Sequence, residues 1–81
     1  MNANARVATT WPESRFLEQL QRLEDRHQRV QSEHEAARRR LEGLTPDAAD
    51  ELRAAWRRYC EVIAELEHTT AELELLCAHA P

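Results

Sequence analysis

Apolar side chains recur along this chain at alternating intervals of four and three. In the first half the row runs Phe16, Leu20, Leu23, His27, Val30, His34, Ala37, Leu41, Leu44. A second row runs Leu52, Trp56, Tyr59, Ile63, Leu66, Thr70, Leu73, Cys77. Alternating four-three spacing is the heptad signature of helices that pack along a seam. The rows predict two helices of about thirty residues, each roughly 45 Å long.

The stretch between the rows, "LEGLTPDAADEL", carries stop and start signals. Gly43 is suited to the left-handed conformation that closes a helix, and Arg38, Arg39 and Arg40 favour the negative end of its dipole. Thr45 is a good N-cap and Pro46 fits a first helical turn, with Asp47, Asp50 and Glu51 near the positive end. Helix one is expected over about residues 11–42, the turn over about 43–45 and helix two over about 46–78. Together they make a helical hairpin over residues 10–79. At the front, "TWPE" reads as a capping box between Thr10 and Glu13, with Pro12 tolerated in the first turn. Residues 1–9 show no periodicity and are expected to form a loose arm.

A short turn makes the helices antiparallel neighbours, so the fold class expected is an all-α, coiled-coil-like two-helix hairpin. Residues facing one another across it should have numbers summing to about 96 or 97. Leu41 then faces Trp56, Ala37 faces Tyr59, His34 faces Ile63, and Val30 faces Leu66. His27 faces Thr70, so the polar seam residue of helix two meets an imidazole that its hydroxyl can satisfy.

Composition narrows what such a hairpin does. The 81 residues make one small domain at most, with 11 Arg, no Lys and a net charge of −4. That balance argues against general affinity for nucleic acid or an anionic membrane. No apolar run approaches a membrane span and no signal-peptide core stands at the N-terminus, so a cytoplasmic protein is expected. Cys60 and Cys77 lie roughly 25 Å apart on one helix and read as reduced thiols.

Candidate chemistry is sparse. The polar layer of His27, His34 and Thr70 reads first as a register device, then as a pH switch, then as metal ligands. "EDRH" and "ELEH" both show Glu-x-x-His spacing, but Glu65 and His68 point away from the seam, and His27 and His34 stand about 10 Å apart. No metal site and no cofactor are expected. Neither cysteine has a local base or an oxyanion-binding loop, so no enzyme is expected either.

Beside the second seam, Ala48, Ala55, Val62, Thr69 and Leu76 form another row, with Leu75 next to it and Leu17 beside Phe16 on helix one. Helix two is therefore apolar over more than a two-helix contact covers. Leu17, Val62, Thr69, Leu75 and Leu76 are the expected partner-binding surface. The partner is either a second copy completing a four-helix bundle or another helical protein. The function expected is a small adaptor, co-chaperone or regulatory protein. In length and two-helix layout, though in no motif, the chain is similar to the small hairpin co-chaperones of bacterial type III secretion.

A second function class rests on charge. Residues 38–60 hold six of the eleven arginines against four acids, and residues 61–81 hold five glutamates and no arginine. Arg38, Arg39, Arg40, Arg53, Arg57 and Arg58 would then be contacts for RNA or DNA, beside Trp56 and Tyr59. The helix dipole, the seam and a solvated face account for the same residues without a ligand.

Overall fold

The computed structural model describes residues 2–80, with side chains described from residue 13 onward. Two helices, α1 (Asn2–Gly43) and α2 (Ala49–Ala78), pack against each other, and there is no strand among the described residues. They run antiparallel: Arg58 of α2 reaches Glu33 of α1, and Thr69, further along α2, reaches His27, earlier on α1. The longest dimension is 73 Å. At 42 residues α1 overhangs the 30-residue α2 at the open end.

α1 takes in residues for which an arm was expected, and Thr10 stands within its span. The Thr10 side chain, and so its capping box with Glu13, lies outside the described residues. At the other end α1 closes without a left-handed residue, because no glycine has positive φ. Its last turn tightens instead, with the Leu44 N–H donating to the Leu41 carbonyl at 3.4 Å.

The connection is longer than expected. Thr45 and Pro46 do not open α2; the N-cap is Ala48, which makes no side-chain capping bond. The Ala48 N–H donates to the Thr45 carbonyl at 3.1 Å. Thr45, Pro46, Asp47 and Ala48 therefore form a turn with proline at its second position, where a fixed φ near −65° is pre-set for a turn as well as for a first helical residue. Asp50 and Glu51 still occupy the first turn of α2, at the positive end of its dipole.

The seam on α1 is the expected one. Val30 and Ala37 are buried, and Phe16, Leu20, Leu23, His27, His34, Leu41 and Leu44 are half-buried. The seam on α2 is displaced by one residue at every second position. Ala55, Val62 and Thr69 are buried, while Leu52, Tyr59, Leu66, Leu73 and Leu76 flank them half-buried. Trp56, expected opposite Leu41, is 56% exposed, and Cys77 is exposed. Small side chains thus lie between the helix axes, with Leu76 continuing their row, and Leu52, Tyr59, Leu66 and Leu73 line one side of it.

Two ion pairs go with this rotation of α2. Arg26 Nη1 lies 3.2 Å from Glu72 Oε1, and Arg58 Nη2 lies 3.2 Å from Glu33 Oε2. Seating Trp56 and Ile63 in place of Ala55 and Val62 would turn α2 by roughly 50°, half of the 100° step between successive residues. That turn would carry Arg58 and Glu72 away from α1. Each pair is worth at most about 1 kcal/mol, so they select the rotation more than they stabilise the fold.

Candidate interaction surface

The hairpin has two unlike flanks. On the charged flank, Arg26, Glu33, Arg58, Glu65 and Glu72 line the seam edge, and Arg58 also lies 3.6 Å from Glu61 and 3.7 Å from Glu65. Glu72 Oε1 is buried there, 2.9 Å from His68 Nε2 and 3.2 Å from Arg26 Nη1. Neither contact has the alignment of a hydrogen bond, so among the described residues that oxygen has no hydrogen-bond partner.

The other flank is open. From α2 it presents Trp56, Ile63, Thr70 and Cys77, each seven residues after the last. From α1 the corresponding positions are Leu17, Glu24, Gln31 and Arg38. Trp56 and Leu17 are exposed, and Ile63 and Thr70 are half-buried. The Trp56 ring leans on Tyr59 at 5.9 Å between centroids, and Tyr59 stacks in turn on His34 at 5.2 Å. The aromatic rings of the tip therefore form a ladder from the seam out to the open flank.

These positions correct the surface expected from sequence. Val62 and Thr69 have no exposed area and cannot meet a partner; they are the centre of the hairpin's own core. Leu76 is half-buried in the same seam. Leu17 and Leu75 do face solvent, at 60% and 63% exposure. Leu75 lines an open groove with Leu23, Leu76, Glu72 and His79 at the open end. The signal that would have found the open flank is Trp56 itself. Two apolar rows one residue apart compete for the seam, and the row with alanine and valine lets the helix axes approach more closely than the row with tryptophan.

The polar layer is likewise corrected by one residue. His27 Nδ1 lies 2.8 Å from the Oγ1 of Thr69, not of Thr70. Thr69 Oγ1 donates its own proton to the Leu66 carbonyl at 3.1 Å. The hydroxyl can then only accept from the ring, so Nδ1 carries a proton. His34 stacks on Tyr59 rather than facing Ile63 alone. Among the described residues, no three His, Cys, Asp or Glu side chains gather as a metal site would require.

At the basic tip, carboxylates neutralise four of the six arginines. Arg38 donates to Glu35 at 2.9 Å and lies 3.5 Å from Glu42; Arg39 lies 3.6 Å from Glu35. Arg53 pairs with Asp50 at 3.1 Å and Arg58 with Glu33 at 3.2 Å. The hydrogen bond from Arg38, and then its charge, hold the Glu35 carboxyl below the usual glutamate range. The same bond raises the Arg38 guanidinium. A phosphate backbone would have to displace these carboxylates, which among the described residues leaves Arg40 and Arg57 as the tip arginines without an ion pair. No helix among the described residues is long and apolar enough to cross a membrane.

The chain matches no protein-family model, no curated protein and no solved structure.

Proposed function

We propose that this chain is a non-enzymatic helical interaction module of the cytoplasm, an adaptor, co-chaperone or regulatory subunit. It completes its core by docking the open flank of α2 against another helical surface, supplied by a second copy or by a different protein. The observation that carries this reading is Trp56. A tryptophan more than half in water, aligned with Ile63 and Thr70 on a flank that shows no inter-helix ion pair among the described residues, is an unsatisfied apolar surface. Tryptophan is also the residue type most often found as the anchor of a protein interface.

The thinness of the hairpin's own core supports the same reading. Only Val30, Ala37, Ala55, Val62 and Thr69 are buried among the described side chains. Chains this small are marginal without a further element to pack on.

The test is recovery of the tagged chain from its native cell, as wild type and as Trp56→Ser. Wild type is expected to bring down a stoichiometric helical partner, or itself, and the variant to lose it while keeping its far-UV circular dichroism. Equal recovery by both proteins removes the open flank from the reading.

A further inference from the structure

We infer that the open flank of α2 is covered by α2 of a second copy of this chain, docked antiparallel across a two-fold axis close to Ile63. The inference rests on the interaction-module reading above and names its partner.

The first ground is a second heptad row on α2, next to the seam that faces α1. Ala49, Arg53, Trp56, Cys60, Ile63, Glu67, Thr70, Glu74 and Cys77 again alternate by four and three, and each is exposed or half-buried. The equivalent positions on α1 include Gln21, Glu24, Gln28, Gln31, Glu35 and Arg38. Apart from Leu17 at its open end that face is polar, so α2 is the helix that needs covering.

Charge chooses the partner and its direction. The N-terminal half of α2 sets Arg53, Arg57 and Arg58 against Asp50, Glu51 and Glu61, whereas its C-terminal half carries Glu65, Glu67, Glu72 and Glu74 and no arginine. A parallel second copy would set the two acidic C-terminal halves together. An antiparallel copy instead sets the neutral, arginine-bearing half of each α2 against the acidic half of the other, and opposes the two helix dipoles favourably. With Ile63 at the axis, Trp56 meets the partner's Thr70, Ala49 meets the partner's Cys77, and Arg53 meets the partner's Glu74. The row is self-complementary under this one operation, and an isologous contact of this kind closes as a dimer.

The exposed area fits. A compact monomer of 9.4 kDa exposes about 5,000 Å², whereas this chain exposes 6413 Å². The excess exceeds the roughly 800 Å² per partner of a standard interface.

The experiment uses the full chain with Cys60→Ser and Cys77→Ser. Light scattering is expected to give twice the monomer mass. Ile63→Cys, whose thiols would face each other across the axis, is expected to form a disulfide-linked dimer under mild copper-phenanthroline oxidation. Ser32→Cys, on the outer face of α1, is expected to stay largely unlinked. Should Ile63→Cys fail to fold, charge reversal gives the answer on the unmodified chain. Arg53→Glu should weaken the dimer about tenfold, through two equivalent contacts of up to about 1 kcal/mol each. Adding Glu74→Arg should restore it.

A monomer at all concentrations overturns self-docking and leaves the capture experiment to decide on a different partner. A dimer in which Ile63→Cys links no faster than Ser32→Cys, or in which charge reversal is not rescued, overturns the face. A larger assembly overturns the closed two-fold.

Discussion

His27 and Thr69, 42 positions apart in sequence, are joined by a 2.8 Å contact between Nδ1 and Oγ1 in the middle of the hairpin. Thr69 has no exposed area, and its hydroxyl donates a hydrogen bond to the Leu66 carbonyl. The chain of donors thus runs from the imidazole of α1 through the hydroxyl to the backbone of α2. It is a polar tie inside a mainly apolar seam.

Replacing both partners of this tie should cost less than the sum of replacing each alone. Thr69→Val keeps the branched shape but leaves the His27 N–H without its acceptor, and a loss of about 1–2 kcal/mol is expected. His27→Leu with Thr69→Val removes donor and acceptor together and should recover about 1 kcal/mol of the summed single losses. Urea denaturation of the four proteins measures the coupling. Strict additivity would show that the contact contributes nothing specific.

The donor chain also dictates a tautomer. At alkaline pH His27 should carry its proton on Nδ1, whereas an unconstrained imidazole favours Nε2. Adding a proton at Nε2 leaves the bond to Thr69 in place, so this contact is not by itself a pH switch. Long-range nitrogen-proton correlation spectra of the His27 ring distinguish the two forms. An Nε2-protonated ring would reverse the direction assigned to the bond.

Gly43 provides a test in which sequence habit and structure disagree. Glycine at a helix end normally marks a left-handed cap, where a Cβ is costly. Here φ is not positive, and a Cβ built at Gly43 would have nothing within 4 Å. Gly43→Ala should therefore stabilise the chain by about 0.5–1 kcal/mol, by restricting the unfolded state and improving helix propensity. The melting temperature should rise by a few degrees. A fall would mean that the residue adopts the left-handed conformation after all.

Acid should loosen the tip through Glu35. Its folded carboxyl titrates below the ordinary glutamate value, so the folded state holds the charged form more strongly than the unfolded chain does. The stability this adds is fully present above about pH 4.5 and is lost as pH falls through the depressed folded value. Glu35→Gln should flatten the dependence of the denaturation midpoint on pH between about pH 5 and about pH 3. An unchanged slope would show that the Arg38 bond does not persist in solution.

Much of this architecture is legible without coordinates. The four-three row from Phe16 to Leu44 specifies the buried face of α1 uniquely, because the neighbouring rows on that helix are polar. The break around Gly43 and Pro46, with a helical row on either side, requires the chain to fold back. The near-constant sum of facing residue numbers even places an imidazole of α1 against a threonine of α2. What periodicity leaves open is the rotation of α2. Two apolar rows, Ala55–Val62–Thr69–Leu76 and Trp56–Ile63–Thr70–Cys77, lie one residue apart, and either completes a heptad with Leu52, Tyr59, Leu66 and Leu73. Only contact with α1 separates them. Small side chains let the axes approach, and the same rotation brings Arg58 to Glu33 and Glu72 to Arg26. The tryptophan row is left on the outside, where it is available for a partner.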